Sequence, residues 1–393
     1  MDDAGAWMDE RIRALVELIE SRDYRGRDPF DLPNSPALGW VPKRWHLGQL
    51  AVSKFGSRVA PDWLRRGLGV PPIEDPKTYV CCYFAYRFLG RDERAAEMLR
   101  RLAALADRSG AGAHWGYGFT WATREGAVNP RGASTMVPGA FAMLALLHEE
   151  AREGSGAHLD LLADAAGYYA TAHLRDGRDG PFIGYFAHSR ANTHNANLLG
   201  GAALSLAGAR LGREDLVDVA ARTSATSVAS VGADGRIPYT DLPSGDWTDA
   251  FHHLYVLGCV RAIARTNPRV DAARYEEAAA RLEAFFRREF FLHDGRLCYR
   301  PGERYPIDPH NHAAVALGAL LLDGPGAARA ILEDADAAAW DPSKRRYVHR
   351  VHRRRRDARL FLRWTQAWML LALAAVSRPA AVDRELAVHA PAT

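Results

Sequence analysis

The sequence predicts an all-α fold, an (α/α)6 barrel in which six helical hairpins close into a ring. Three observations predict it: an apolar helical segment that recurs, amphipathic segments between its copies, and a nearly constant spacing along the 393 residues. Hydrophobic residues make up 48% of the chain and charged residues 25%. This balance is typical of a globular protein and argues against disorder over most of the chain.

Six segments rich in Ala and Leu recur about every 55 to 60 residues. They are apolar nearly all round, which predicts helices buried on every side. Their first residues are Thr78, Thr135, Asn195, Asp249, Asn311 and Arg363.

Amphipathic segments lie between these copies, with apolar positions at three- and four-residue spacing and charges on the opposite face. They begin at Asp92, His158, Arg213, Val270 and Gly326. We expect them to form an outer layer. The sixth outer helix is either residues 9–21 or the segment around "WHLGQLAVSKFG".

A closed ring fits the sequence better than an open solenoid, because no repeat has the polar face of an end cap. The last apolar segment also comes close to the C-terminus, ready to close against the first. Two smaller helical domains are the alternative, but no linker rich in Pro, Ser or Gly divides the chain. We therefore expect one domain over residues 1–377 and a disordered tail over residues 378–393.

Charge and cysteine usage exclude several classes of protein. The 51 basic and 47 acidic residues leave a net charge of only +4, without the broad basic face of a nucleic-acid-binding protein. The one dense basic run, residues 351–359, is a solvated or salt-bridging segment, or else a contact for an anion or polysaccharide. The four cysteines have no metal-binding spacing and favour a reducing cytoplasm.

The N-terminus is charged and has no apolar signal core, and no segment approaches the ~18 apolar residues that span a membrane. We expect a cytoplasmic protein with no membrane partner and no nucleic-acid partner.

The segments that lead into the buried helices are long and rich in aromatic residues, His, Asn and Asp, whereas the turns that follow those helices are short. In a ring of hairpins all the lead-in segments lie at one end, so that end is the candidate site. Aromatic faces beside polar groups suit a sugar, whose C–H patches stack while its hydroxyls hydrogen-bond. The alternative is that the aromatic residues only cover the barrel mouth.

The candidate substrate-binding residues at this end are Trp115, Tyr117, Trp121, Arg131, Tyr185, His194, Asn195, Tyr239, Trp247, His253, His310, Asn311, Trp364 and Gln366.

The stretch "DWTDAFHHLYVLG", residues 246–258, has a polar front and an apolar tail. Helical spacing places Asp249 three residues before His252 and four before His253. We expect Asp246 or Ser244 to cap the helix, and Asp249 and His252 to take part in catalysis. No HExxH or comparable metal spacing is present, so we expect neither a metal nor another cofactor.

Four motifs carry a family resemblance: "DYRGRDPFD", "THNANLLGGAAL", "DWTDAFHHLYVL" and "RWTQAWMLLAL". Together they resemble uncharacterised helical proteins found with bacterial capsule and exopolysaccharide gene clusters, and more broadly the six-hairpin glycosidase-like superfamily. The resemblance runs from about Tyr24 to Leu373 and identifies the fold better than the reaction. The superfamily contains glycoside hydrolases, uronate lyases and sugar epimerases, so it implies a carbohydrate substrate, acidic polysaccharides included.

The chain departs from the better understood members of that superfamily. It does not match the twin-histidine pattern of the N-acylglucosamine epimerases or the complete Asn/His/Tyr/Arg set of the toroid lyases. The resemblance therefore transfers no residue roles.

Glycoside hydrolysis is the first hypothesis. It needs two carboxyl groups across the scissile bond. We expect Asp249 to be the acid, because an aromatic wall would raise its pKa. Its partner would be Glu125, Asp241 or Asp308.

Uronate chemistry, either β-elimination or C5 epimerisation, is the second hypothesis. Asn195 or Arg131 would neutralise the substrate carboxylate, while Tyr185, Tyr239 or a histidine would remove the C5 proton. A terpenoid-cyclase-type toroid and a noncatalytic glycan-binding component are further alternatives, although the aspartate-rich motif of the cyclases is absent.

Overall fold

A computed structural model describes residues 3–123 and 126–387 of the chain, and α-helices dominate both ranges. The helices are α1 (Asp3–Glu20), α2 (His46–Arg58), α3 (Asp62–Gly67), α4 (Pro76–Phe88), α5 (Asp92–Ala104), α6 (Met136–Glu153), α7 (Leu159–Ala172), α8 (His194–Leu211), α9 (Glu214–Ala229), α10 (Ala250–Thr266), α11 (Ala272–Glu289), α12 (Pro309–Leu322), α13 (Pro325–Ala339), α14 (Ala367–Ser377) and α15 (Pro379–Ala387). No helix in these ranges is long and apolar enough to cross a bilayer.

Six of these helices form a closed inner ring. In the order α4, α6, α8, α10, α12 and α14, each packs against the next, and α14 packs against α4. Each begins in one of the recurring apolar segments or just before it. The prediction of an (α/α)6 barrel is confirmed.

The outer layer consists of α5, α7, α9, α11 and α13, each packed against the inner helix that precedes it, together with α1. The helix α1 packs against α14, so the sixth hairpin is built from the two ends of the chain. Of the two predicted candidates for the sixth outer helix, the N-terminal one is therefore correct. The other candidate, α2, packs against the turn Leu32–Asn34 and the strand Trp121–Ala122.

The strands are short and pair locally into four antiparallel hairpins. They are β1 (Trp121–Ala122) with β2 (Val128–Asn129), β3 (Leu174–Gly177) with β4 (Gly180–Ile183), β5 (Trp340–Asp341) with β6 (Arg346–Tyr347), and β7 (Arg350–His352) with β8 (Arg355–Asp357). The dense basic run of the sequence forms most of the β7–β8 hairpin.

Pro379–Ala387, where we expected a disordered tail, form α15, and residues 388–393 of that expected tail lie outside the described part of the chain. Ala381 and Val382 are buried, and α15 packs against α4 and α14. Glu385 also brings its carboxylate within 3.2 Å of His148 Nε2. The apolar side of this short helix therefore packs against the ring.

The main hydrophobic core runs from Met8 to Val376 and includes both layers of the ring. At one point the layers approach very closely, because a Cβ on Gly139 of α6 would lie 2.1 Å from the Tyr169 ring of α7. A second, much smaller core of Leu32, Ala60 and Val70 belongs to residues 26–73, which we call the cover segment. This segment lies against the N-terminal ends of the inner helices, the end that we call the barrel mouth.

Lowering the pH from 7 to 5 is expected to lower the free energy of unfolding. Burial lowers the pKa of His173, His194 and His253 to about 4, whereas an unfolded chain titrates its histidines near 6.5. Between these values the unfolded chain binds protons that the folded chain does not. The contribution of these three histidines to the free energy of unfolding is therefore fully present above about pH 6.5. It is lost as the pH falls towards 4, by up to about 1.4 kcal/mol per pH unit for each histidine.

Chemical denaturation at a series of pH values measures this slope. His253→Gln is expected to reduce the slope of the free energy of unfolding against pH by the equivalent of one bound proton. The same change at the exposed His293 is expected to leave the slope unchanged. Equal slopes for the wild type and His253→Gln would contradict the prediction.

Candidate functional site

Three aspartates at the barrel mouth begin inner helices. Asp75, Asp249 and Asp308 are the N-caps of α4, α10 and α12, and each accepts a backbone N–H of the first turn through Oδ1. A proline follows Asp75 and Asp308, which is a favoured start for a helix. Capping occupies one oxygen of each carboxylate, so the partners of Oδ2 distinguish the three residues.

Asp249 uses both oxygens to hold His252. His252 Nδ1 lies 2.9 Å from Oδ1 and 3.0 Å from Oδ2, and Asp249 is buried. A carboxylate at Nδ1 fixes the tautomer in which Nδ1 carries the proton and Nε2 is free to accept one. The His252 side chain is 21% exposed, and no described residue hydrogen-bonds to its Nε2.

Our expectation that Asp246 or Ser244 caps this helix is wrong, because Asp249 is the N-cap. Asp246 ends a separate helical turn, Pro243–Gly245, and forms an exposed ion pair with Arg236.

His252 lies in a cleft lined by the lead-in to α10, the first two turns of α10 and Asn195 of α8. Tyr239 and Trp247 form one wall, stacked with ring centroids 4.4 Å apart, and the Tyr239 ring lies 4.8 Å from that of His252. Asn195 lines the same cleft, and its buried Oδ1 has no hydrogen-bond partner among the described residues. The cleft thus combines an aromatic face, a free acceptor and an imidazole.

Asp308 is fully buried and uses Oδ2 to position two side chains. Arg350 Nε donates to it at 2.7 Å and Trp364 Nε1 at 3.2 Å. Trp364 belongs to a single π-helical turn, Leu362–Gln366, immediately before α14. This turn carries Arg363 and Trp364 into the mouth.

Asp75 differs from the other two caps because its buried Oδ2 accepts no hydrogen bond from a described residue. The nearest cation is Arg363, whose Nε lies 3.7 Å from it and 2.5 Å from Asp28 Oδ2. Burial raises the pKa of Asp75 to about 6, and the Arg363 charge opposes this rise. A second cleft, of about 180 Å³, is lined by Asp28, Asp75, Arg363 and neighbouring residues.

Arg363 is buried among aromatic rings and carboxylates. Burial alone would lower its pKa, but the charges of Asp28 and Asp75 raise the pKa above its ordinary value. Its guanidinium lies 5.1 Å from the centroid of Tyr117, and its Nη2 has no hydrogen-bond partner among the described residues. It can therefore offer a donor to an anionic or hydroxylated ligand.

Lys77, two residues after Asp75, extends into the interior of the ring. Its Nζ lies 5.1 Å from the centroid of Phe141 and 5.2 Å from that of Trp368. Burial, with a further contribution from Arg363, lowers the pKa of Lys77 to about 8.

His310 lies among aromatic residues of α10 and α14 and of the turn before α14. Its ring is 4.6 Å from Phe251 and 5.0 Å from Trp364, measured between centroids, and its Nε2 lies 3.5 Å from the hydroxyl of Tyr255. Burial lowers its pKa well below the ordinary value, and the charges of Lys77 and Arg363 add to this effect. His310 is therefore neutral at physiological pH.

An aromatic wall completes the mouth on the side of α6. Trp121 stacks on Phe30 of the cover segment at 4.9 Å, and Tyr117 lies 5.5 Å from Trp121. The hydroxyls of Tyr117 and Tyr185 are 2.9 Å apart. The alternating aromatic residues of the sequence thus present one shared face.

Four of the predicted binding residues each have a polar atom engaged by the fold, although the buried Nδ1 of His253 has no partner among the described residues. Trp115 Nε1 donates to the carbonyl of Leu102, and Gln366 exchanges two hydrogen bonds with the backbone of Tyr347. His194 Nδ1 lies 3.0 Å from Ser227 Oγ, and His253 Nε2 lies 2.8 Å from the carbonyl of Leu282. We leave these four residues out of the proposed site.

Other predicted residues lie at its edge. Asp241 is exposed, and its carboxylate accepts the backbone N–H of Asn192. Arg131 is exposed, and Asn311 is buried, accepting the N–H of Phe251 and leaving its Nδ2 unpaired among the described residues. Glu125 lies outside the described residues.

The sequence analysis missed Asp28, Asp75, Lys77, Arg350 and Arg363. Asp75 and Lys77 stand in "EDPKTY", a lead-in that begins an inner helix just as "DWTDAFHH" does, and this position was the available signal. Arg363 contacts Asp28 across 335 residues of sequence, and no local pattern reports such a pairing.

In residues 3–123 and 126–387, no group of three or more His, Cys, Asp or Glu is placed to hold a metal ion. The cysteines at positions 81, 82, 259 and 298 are all free and buried.

No family model and no curated protein matches the chain. Solved structures do resemble it over most of its length. Cellobiose 2-epimerase from Bacillus thermoamylovorans has a TM-score of 0.55 at 14% identity, covering 79% of this chain and 90% of that chain. A GH76 α-mannanase from Bacteroides thetaiotaomicron has a TM-score of 0.55 at 10% identity, covering 78% and 87%.

An unsaturated glucuronyl hydrolase specific for heparin has a TM-score of 0.54 at 14% identity, covering 80% of this chain and 89% of that chain. At these identities the likeness establishes the fold alone, which is the (α/α)6 toroid that the sequence predicted. The resemblance to proteins of capsule gene clusters stays a prediction.

Replacing Arg363 by Met is expected to lower the free energy of unfolding by about 3 to 5 kcal/mol, because it leaves the carboxylates of Asp28 and Asp75 buried without a cation. Chemical denaturation measures the loss. The matched control is Arg94→Met, which removes an exposed pair with Glu97 and should cost less than about 1 kcal/mol. Similar losses in the two variants would argue against a buried pair that the fold depends on.

Proposed function

We propose that this protein is a carbohydrate-active enzyme that cleaves a glycosidic bond at the barrel mouth by general acid–base catalysis. The observation that carries the proposal is the pair of Asp249 and His252, in which Nδ1 is held by the carboxylate and Nε2 is left open beside an aromatic cleft. The likeness to an epimerase, a mannanase and a glucuronyl hydrolase of the same fold is consistent with a sugar substrate.

In this proposal His252 is the general base that activates water. Asp249 holds the imidazole in the required tautomer and stabilises the imidazolium once the proton has been taken. We expected Asp249 to act as the acid, but both of its oxygens are engaged by His252. The geometry favours a positioning role for Asp249.

Asp75 is our candidate for the general acid. Its Oδ2 is unpartnered among the described residues, and burial raises its pKa to about 6, so a fraction of the carboxyl stays protonated near neutral pH. The helices α4 and α10 are three positions apart in a ring of six, so their first residues face each other across the mouth. An acid and a base on opposite sides of the bond are the arrangement of an inverting hydrolase.

Recognition of the sugar would use the stacked pair Tyr239 and Trp247, with Asn195 Oδ1 accepting a hydroxyl proton. The resemblance to capsule-cluster proteins favours a bacterial exopolysaccharide as the substrate, handled in the cytoplasm.

Proton abstraction from a uronate, by a lyase or an epimerase, is the second candidate. One observation favours it: the open base is an imidazole, and the same mouth holds the buried cations Lys77 and Arg363 and the partly buried Arg350. Such cations would neutralise a substrate carboxylate and the enolate formed from it.

The experiment that decides between these reactions is incubation of the purified protein with neutral and acidic oligosaccharides in deuterated water. New reducing ends without ultraviolet absorbance support hydrolysis, absorbance of a conjugated uronate supports a lyase, and deuterium in an uncleaved product supports an epimerase. Binding without turnover of any substrate would overturn the enzymatic proposal.

On a substrate that is turned over, His252→Ala is expected to lower kcat about 10²- to 10⁴-fold, because the general base is lost. Asp249→Asn should lower kcat as well, since an amide does not stabilise the imidazolium. The matched controls are His293→Ala and Asp246→Asn, which change exposed residues that line neither cleft. Wild-type kcat in His252→Ala would remove this residue from the mechanism.

The activity is also expected to fall as the pH rises above about 6, because Asp75 acts in its protonated form and burial raises its pKa to about 6. The decline should approach tenfold per pH unit. A pH profile of kcat measures it, and Asp75→Asn should abolish the decline together with most of the activity. A wild-type profile that is flat from pH 6 to 8 would exclude Asp75 as the acid.

A further inference from the structure

The cover segment exposes an unusual number of large apolar side chains. Six of them, 46 to 73% exposed, lie within 24 residues of sequence. They are Trp40, Trp45, Leu47, Phe55, Val59 and Trp63. The other large exposed apolar side chains, Tyr305, Leu321 and Leu386, lie in separate elements. An apolar concentration of this kind marks an interaction surface.

The same surface carries unneutralised positive charge. Its cations are Lys43, Arg44, Lys54, Arg58 and Arg66, all exposed, and none forms an ion pair with a described residue. Many exposed arginines elsewhere do form one, as Arg94 does with Glu97 and Arg287 with Glu283. We call these cations and the six apolar side chains the apolar-basic face.

Negative charge is scarce on this face. No Asp or Glu occurs between Asp31 and Asp62; Asp31 is buried beside Arg65, and Asp62 is half-buried, with its Oδ1 enclosed. Every exposed residue from position 36 to position 67 is apolar, a glycine, a proline or a cation. The face is therefore complementary to an anionic surface.

We infer that the apolar-basic face docks the protein on a bilayer that contains anionic lipid. Tryptophans beside lysines and arginines suit the lipid–water interface, where the ring enters the headgroup layer and the cations meet lipid phosphates. A sugar ligand would need amide or carboxylate partners, which the exposed part of this face lacks. A protein interface is depleted of charged residues at its core, whereas five exposed cations stand among these apolar side chains.

The segment that carries the apolar-basic face contacts the barrel mouth. His46 Nε2 lies 2.6 Å from the carbonyl of Thr123, and Asn34 Nδ2 donates to the carbonyl of Gly118 at 2.8 Å. Phe30 stacks on Trp121 at the mouth itself. Docking through this segment holds the barrel mouth beside the bilayer.

Our expectation of no membrane partner rested on the absence of a spanning segment. A protein that binds the surface of a bilayer through side chains needs no spanning segment, so the absence of such a segment does not conflict with docking. The docking inference does not depend on the proposed reaction.

Sedimentation of the full chain with vesicles tests the inference. The protein is expected to pellet with vesicles of phosphatidylcholine and phosphatidylserine, less with phosphatidylcholine alone, and less as salt is added. Lys43→Ala with Lys54→Ala should weaken the binding about 25-fold, or about fivefold for each cation removed. Trp40→Ala, Trp45→Ala and Trp63→Ala together should weaken it by at least about tenfold.

The matched controls change exposed residues of the same kinds elsewhere. Arg100→Ala with Arg274→Ala, and Tyr305→Ala with Leu321→Ala, should bind like the wild type. Unchanged thermal unfolding of the face variants would show that they fold. No pelleting with anionic vesicles, equal binding to neutral ones, equal losses in the controls, or retention by an acidic polysaccharide instead of vesicles would each overturn the inference.

Discussion

The contact of Arg363 with Asp28 and Asp75 is the interaction on which the rest of the structure depends. Arg363 stands at the entrance to the last inner helix, Asp75 caps the first, and Asp28 belongs to the cover segment. One guanidinium thus joins both ends of the ring and the segment that lies over it. Because all three groups are buried, each would be left as an uncompensated charge if the others moved away.

Helix capping places chemistry at the mouth. An inner helix that begins with an aspartate satisfies one backbone N–H, worth about 1 kcal/mol, and it also delivers a carboxylate to the same end of the ring. The second oxygen takes an imidazole at Asp249 and an arginine and an indole at Asp308, whereas at Asp75 it accepts no hydrogen bond from a described residue and lies 3.7 Å from the Arg363 guanidinium. Three residues with one structural role acquire three different environments.

The fold was predictable from the sequence because a constant spacing of apolar helices leaves few closed arrangements. The pairing of Asp249 with His252 was also visible, since three-residue spacing on a helix brings the two side chains together. His253 could not be assigned in this way, because one further residue turns its side chain by about 100°. It faces the packing between α10 and α11 and contacts Phe285 instead.

Residues that depend on distant partners escaped the sequence analysis for another reason. Trp115 and Gln366 belong to lead-in segments and carry polar side-chain atoms. Backbone groups of other elements form hydrogen bonds with those atoms. Conversely, Asp75 was missed, because what distinguishes it is the absence of a hydrogen-bond donor at its second oxygen. Whether a polar atom has a hydrogen-bond partner depends on three-dimensional packing, and a single sequence does not reveal it.

The cover segment has the reverse of the usual arrangement of apolar residues. Its own buried core is only Leu32, Ala60 and Val70, while six large apolar side chains face outward and contribute nothing to that core. Buried arginines hold it instead: Arg65 donates to the carbonyl of Gly56, and Arg359, outside the segment, donates to the same carbonyl. A segment selected only to cover the ring would turn Trp40 and Trp63 inward, because burial stabilises and exposure does not. The docking inference explains their outward position, because a partner would bury these side chains. The surrounding cations indicate that this partner is anionic.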